Sequence, residues 1–178
     1  ALTIIFKAND PTKAAKQISL SQLGSIKLDK EETKKMVTTI PRSSVLGFII
    51  GVLPGAGATI ASFLAYGMER NFVNDEEKQK FGKGSVNGIA APETANNAAC
   101  SGSFVPLLTL GIPGSGTTAV MLGALLGFGI QPGPRLYQTN PEIFWSVIMS
   151  MYIGMVVLLI LNLPIITYNA IVLSTQRT

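Results

Sequence analysis

Three stretches of this chain carry no charged residue: Ser43 to Met68, Thr94 to Pro134 and Ile143 to Gln176. A transmembrane helix needs roughly 20 mostly apolar residues, and each stretch exceeds that. Polar and charged positions collect between them, so the pattern predicts an all-α integral membrane protein. The expected organisation runs in six parts. Residues 1–42 hold the end of a preceding helix (Ala1 to Phe6) and a cytoplasmic linker with a helix around Asp29 to Thr38. Residues 43–68 form an interrupted membrane segment, 69–83 a charged cytoplasmic linker, and 84–130 a second interrupted segment. Residues 131–142, rich in Pro and Gly, read as a loop. Residues 143–174 read as a transmembrane helix, with Trp145 and Tyr168 as interfacial anchors and Pro164 as a kink or an end.

Both interruptions are written with the same phrase. Pro54, Gly55, Ala56, Gly57, Ala58 and Thr59 are matched by Pro113, Gly114, Ser115, Gly116, Thr117 and Thr118. Proline removes a backbone donor and clashes with the preceding turn, and glycine lets the backbone leave helical angles. A helix broken at Pro54 leaves halves of about 16 Å, too short for a hydrocarbon core of about 30 Å. The segment is therefore a span broken near its middle or a re-entrant hairpin, and basic residues on both flanks favour the hairpin. Irregular backbone at membrane depth is tolerated only where protein buries it or it lines a cavity. The following half-helices, expected to start near Thr59 and Thr118, would present unpaired N–H groups and a positive dipole end. Ser115, Thr117 and Thr118 add hydroxyl donors. A matched pair of interrupted apolar segments points to the central site of a secondary transporter. The competing reading is that the glycines only let helices pack closely.

Charge and composition narrow the function. At 178 residues the length suits one soluble domain, but only 13% of residues are charged, about half the usual share. Lys27, Lys30, Lys34, Lys35 and Arg42 precede the first apolar stretch, and Arg70, Lys78, Lys80 and Lys83 follow it; the positive-inside rule makes both flanks cytoplasmic. The net charge of +4 does not indicate nucleic acid, because the basic residues are dispersed among acids without aromatic interleaving. Cys100 is the one cysteine and there is no histidine, so no disulfide, Cys–His pair or metal set is expected, and Cys100 reads as a small packing residue. Gly114 to Ala119 fits a dinucleotide-binding pattern, but no acidic residue follows until Glu142, and neither phrase has the lysine of a P-loop. With no cofactor and no nucleophile–base set, an enzyme is not expected. The chain lacks an initiator Met and a signal peptide, which reads as a piece of a longer protein.

Glu93, Asn96 and Asn97 are the other unusual group. Glu93 is the only charge between Lys83 and Arg135, and ionisable or amide groups at membrane depth tend to face a cavity or mark an ion path. The asparagines would coordinate Na⁺ and Glu93 would carry a proton. Alternatively, Glu93 sits at a helix N-terminus beside Pro92, and the asparagines hydrogen-bond between helices.

The blocks "GVLPGAGATIASFLAY", "FGKGSVNGIAAPETANNAA" and "LTLGIPGSGTTAVMLGALLGFGIQPGP", in that order over about Pro41 to Leu163, resemble the large membrane subunit of the tripartite tricarboxylate transporters, the TctA family. The resemblance implies a multi-pass carrier of the bacterial inner membrane, built of two related halves of which this chain matches the second. It implies cation-driven uptake of citrate-like tri- or dicarboxylates, a small membrane subunit and a periplasmic solute-binding protein. On that basis residues 54–59 and 113–118 are expected to hold the substrate carboxylates and Asn96, Asn97 and Glu93 the coupling ion. H⁺ or Na⁺, the particular carboxylate and the orientation of the repeats stay open. The competitor is a non-transporting scaffold or assembly subunit in which the phrases only pack helices.

Overall fold

A computed structural model describes residues 29–175, with side chains to residue 165; Ala1 to Phe6 and the preceding part of the first linker lie outside the described residues. Every regular element among them is helical: α1 (Lys30–Val52), α2 (Gly57–Phe72), α3 (Asp75–Lys78), α4 (Val86–Gly102), α5 (Phe104–Leu110), α6 (Gly116–Gly127), α7 (Leu136–Thr139) and α8 (Pro141–Thr175).

The helix expected around Asp29 to Thr38 begins on schedule and then continues through Ser43 to Val52. Its start is a capping box: Asp29 caps the first turn, and the backbone N–H of Asp29 donates to Glu32 Oε2 at 3.1 Å. Pro41 lies inside the helix. It removes one donor, the partner of the Val37 carbonyl, and the helix tolerates this until the next breaker at Pro54. The backbone then turns through Gly55, at φ +84°, and re-enters a helix at Gly57, at φ +71°. Only glycine occupies such angles without strain. Pro92 and Pro164 are likewise contained within α4 and α8.

Three helices build the packed unit, which spans Leu28–Met155. Rows of small residues four apart face one another: Ser43, Gly47 and Gly51 on α1, Ala61 and Ala65 on α2, and Ala91, Ala95 and Ala99 on α4, all buried. A Cβ on Gly47 would overlap the backbone of Ala95, and one on Gly51 that of Ala99. The α1 and α4 backbones are therefore in contact. Close van der Waals packing of this small-xxx-small kind holds the helices together.

Each row ends in a polar residue at the same end of the bundle. Thr39 on α1, Glu69 on α2 and Asn87 on α4 are buried together. Arg42 Nη2 donates to Glu69 Oε2 at 2.6 Å, Thr39 Oγ1 to Glu69 Oε1 at 2.8 Å, and Asn87 Nδ2 to Thr39 Oγ1 at 2.8 Å. Arg42 also lies over the Phe72 ring, 4.4 Å from its centroid. This cluster is the base of the α1–α2 hairpin. Its tip is the break between Val52 and Gly57, about 16 Å away along α1.

Beyond the bundle, Gly111 (φ +71°) ends α5, with its N–H donating to Leu107 O at 3.0 Å and that of Ile112 to Pro106 O at 3.2 Å. The expected loop 131–142 contains the one-turn α7, and α8 starts at Pro141. Among the described residues one helix, over Pro141–Ile165, is long and apolar enough to cross a membrane, at mean hydropathy 2.4. Trp145 on it is exposed; the side chain of Tyr168 lies outside the described residues. From Val156 the chain belongs to a separate unit, in which the side chains to Ile165 are exposed.

Candidate functional site

The two phrases meet. The N–H of Gly55 donates to the carbonyl of Gly114 at 3.2 Å, and a cavity of about 580 Å³ opens beside this bond. Gly55, Gly57, Ala58 and Thr59 line it from the first phrase, and Pro113, Gly114, Ser115, Gly116, Thr117 and Thr118 from the second; Cys100, Ser103, Phe104 and Ala119 complete it. Of the twelve phrase residues expected to form a site, Pro54 and Ala56 are the two that do not line this cavity. The lining carries no charged side chain.

The helices following the phrases start at Gly57 and Gly116, two residues ahead of Thr59 and Thr118, because glycine at the break releases the backbone into the helix at once. Their N-termini differ. Ser115 caps α6: Thr118 N donates to Ser115 Oγ at 3.3 Å, and Ser115 N donates to Thr118 Oγ1 at 2.8 Å. The two hydroxyls are also 3.1 Å apart, and Thr118 is fully buried. Both hydroxyls thus serve the helix itself. At α2 the capping position is Ala56, which supplies no side-chain acceptor. The N–H groups of its first turn have no intrahelical partner, and Gly57, Ala58 and Thr59 line the cavity. Thr59 and Thr117 are exposed.

Most phrase glycines are not packing residues. A Cβ built on Gly55, Gly57 or Gly116 would meet nothing within 4 Å. Gly114 is the exception, since a Cβ there would lie 2.9 Å from Ser103 Cβ.

Glu93, Asn96 and Asn97 are not brought together. Asn96 faces α2, donating to Ser62 Oγ at 3.3 Å, with its Oδ1 3.9 Å from Cys100 Sγ. Asn97 and Glu93 turn to another face of α4 and line a second cavity of about 380 Å³; Asn97 Nδ2 donates to the Glu93 carbonyl at 2.9 Å. Consecutive residues on a helix point about 100° apart, so neighbouring asparagines serve different surfaces. Cys100, expected to be a packing residue, is exposed on the main cavity. Among the described residues no group of three or more His, Cys, Asp or Glu is placed to hold a metal ion.

Two polar clusters escaped the reading of the sequence. One is the base cluster of Thr39, Arg42, Glu69 and Asn87. Its signal is present in the four-residue spacing, since Thr39, Glu69 and Asn87 each continue a row of small residues. The other lies in the charged linker, where Lys35 Nζ and Ser85 Oγ donate to Glu77 Oε2 and Oε1, both at 2.8 Å. The Lys35 bond holds the Glu77 carboxyl below the usual carboxylate range, against burial, which pushes it up; Ser85 and Lys80 add to the lowering. The same bond raises the Lys35 ammonium above its ordinary value.

The chain is 42% identical over 151 residues to an uncharacterised 52.8 kDa protein in the TAR-I ttuC' 3' region of Agrobacterium vitis, covering 85% of this chain and 30% of that protein. It is 48% identical over 120 residues to an uncharacterised protein in the TAR-II ttuC' 3' region of the same organism, covering 67% of this chain and 49% of that one. The chain thus spans between about a third and a half of these relatives. No solved structure matches it. The model of the tripartite tricarboxylate transporter TctA family matches residues 1–178, and the chain belongs to that family.

Proposed function

We propose that this chain acts within a larger, two-repeat, multi-pass subunit of the bacterial inner membrane, which takes up a citrate-like tri- or dicarboxylate by alternating access. An H⁺ or Na⁺ gradient drives the cycle. A periplasmic solute-binding protein delivers the substrate, and a small membrane subunit completes the carrier. The observation that carries this reading is that both phrases line one cavity and are joined by the Gly55–Gly114 hydrogen bond. Free N–H groups at the start of α2, with the hydroxyls of Thr59 and Thr117, suit an anion that needs donors more than a fixed counter-charge.

The hairpin reading of residues 43–68 draws support from the base cluster. Arg42 and Glu69 flank the segment and bind each other, so both ends belong on one side, which the positive-inside rule makes cytoplasmic. The phrase then sits about 16 Å deep, well inside a core of about 30 Å. Residues 84–130 form the second interrupted segment and 143–174 a complete span. For the coupling ion, Asn96 is the residue of the three whose neighbour, Cys100, lines the substrate cavity. We therefore assign the ion to Asn96 and the nearby freed carbonyls.

The scaffold alternative requires glycines that pack. The seam glycines Gly47 and Gly51 do so, and of the phrase glycines Gly114 does; Gly55, Gly57 and Gly116 have open space. Alkylation of Cys100 tests the reading. In the complete subunit, assembled with its partners in membranes, citrate or a smaller dicarboxylate should slow maleimide modification of the Cys100 peptide, read by mass spectrometry. Matching amides should not. Equal rates with and without every carboxylate would favour the scaffold.

A further inference from the structure

Ser62 stands just past the first turn of α2, between the cavity of the two phrases and Asn96. Its Oγ lies 3.0 Å from the Ala58 carbonyl of its own helix and 3.1 Å from the Pro92 carbonyl of α4. It also accepts from Asn96 Nδ2 at 3.3 Å. A hydroxyl has one proton to donate and two lone pairs with which to accept. Ser62 therefore divides one proton between two carbonyls while it holds the Asn96 amide. Bonding back to the carbonyl four residues earlier is a common habit of a helical serine; taking an amide from a second helix as well joins α4 to the start of α2.

The Ala58 carbonyl belongs to the same peptide group as the Thr59 N–H. Because α2 starts at Gly57, this N–H is the third of the helix and has no intrahelical partner. Ala58 and Thr59 both line the cavity. A peptide group is conjugated through its C–N bond. A donor on its carbonyl draws charge from the nitrogen and makes the N–H a better donor, and hydrogen bonds in such a chain strengthen one another. At the other end, Asn96 Oδ1 lies 3.9 Å from Cys100 Sγ, and Cys100 also lines the cavity. A cation on that oxygen would polarise the amide and strengthen the bond that Nδ2 donates to Ser62. The series runs from Asn96 through the Ser62 hydroxyl and the Ala58 carbonyl to the Thr59 N–H.

We propose that Ser62 is a positioning residue that couples ion to substrate: a cation held by Asn96 strengthens, through Ser62, the bond from the Thr59 N–H to the substrate carboxylate. This rests on the cavity and the ion placement given under the proposed function, and it adds the contact that joins them. The amide and the hydroxyl take up no proton near neutral pH, so the ion that acts through this series is a metal cation, and Na⁺ is the probe. A direct attraction between ion and carboxylate has no need of Ser62, which separates the two routes.

The test measures the concentration of citrate, or of succinate, that half-protects Cys100 from maleimide. The complete subunit is assembled with its partners in membranes, in NaCl or in choline chloride of equal ionic strength. Wild type should need roughly five- to tenfold less carboxylate in Na⁺, a coupling of ordinary allosteric size. Ser62→Ala should keep the choline value and lose the difference between the salts. Alanine suits a helix interior at least as well as serine, so this variant should assemble normally. Ser62→Thr, which keeps the hydroxyl and its bond to the carbonyl four residues earlier, should restore the difference. A merely structural serine would shift both values together. The proposal is overturned if the Na⁺ effect survives Ser62→Ala, if Ser62→Ala weakens protection equally in both salts, or if wild type is protected without any Na⁺ effect. In each of those outcomes carboxylate still protects Cys100, and the substrate cavity stands. Protection of wild type by neither acid in either salt would overturn the cavity and this coupling with it.

Discussion

PGAGAT and PGSGTT share a pattern but sit differently in the chain: α1 runs to Val52, directly before the first phrase, whereas α5 has already ended at Gly111 before the second. In the second phrase Ser115 and Thr118 bond reciprocally, so α6 has a side-chain cap that takes up the Thr118 N–H. In the first, Ala56 stands where that serine would be, and α2 begins without a side-chain cap. The glycines differ as well: Gly57 holds a positive φ, while Gly116 sits at ordinary helical angles in open space. A repeated phrase therefore need not mean a repeated role. One copy caps its helix with its own hydroxyls, and the other begins its helix without a side-chain cap.

The comparison holds only while one frame carries both phrases, and the seam is that frame. Gly51→Val should have the largest effect. Its side chain would drive into the Ala99 backbone, at a cost of about 1–3 kcal/mol or more, and membrane levels of the subunit should fall on a blot. Next comes the glycine contrast. Gly57→Ala should lose about 1–2 kcal/mol, since an alanine at φ +71° is strained, whereas Gly116→Ala should be neutral or slightly stabilising. Thermal unfolding of the purified subunit reads both. Ala56→Ser should change the stability of α2 by less than about 0.5 kcal/mol and leave protection of Cys100 by carboxylate unchanged, because residue 56 already holds helical angles (φ −67°, ψ −45°), unlike the extended Ser115 (φ −153°, ψ 168°) whose side chain caps α6.

Much of this was legible in advance, and the remainder was hidden for physical reasons. The end of α1 at Pro54 and the long apolar helix after Pro141 follow from helix chemistry and hydropathy, whereas the helix before the second phrase ends earlier than its proline, at Gly111 (φ +71°). That the phrases touch does not follow from these, because a contact between residues 55 and 114 is set by how α1, α2 and α4 pack. The end of the charges suggests a boundary near Ser43, but helix ends are set by caps and breakers, here Asp29 and Pro54, so α1 runs through it. Adjacency in the sequence suggests that Asn96 and Asn97 act as a pair, and helical rotation separates them. The small-residue rows at Ser43, Ala61 and Ala91 were visible at four-residue spacing, and the base cluster would have followed from extending each row to its polar end.

The smallest effect concerns the linker. Glu77 titrates below its ordinary value and Lys35 above its own. Their bond should therefore contribute fully between the unfolded values of 4.5 and 10.5. Its contribution is lost as pH falls through the lowered Glu77 value or rises through the raised Lys35 value. A pH series of unfolding temperatures for wild type and Glu77→Gln should diverge inside that window and converge below it.

The most direct measurement is uptake of labelled citrate and smaller dicarboxylates by cells expressing the complete subunit with both partners, wild type beside Gly116→Val, with membrane levels matched by blot. Gly116 lines the cavity, and its Cβ meets no neighbouring atom within 4 Å, so valine narrows the site without disturbing the seam. Uptake lost at an unchanged membrane level is the expected result. Wild-type uptake by Gly116→Val would mean that the substrate does not occupy the cavity between the two phrases.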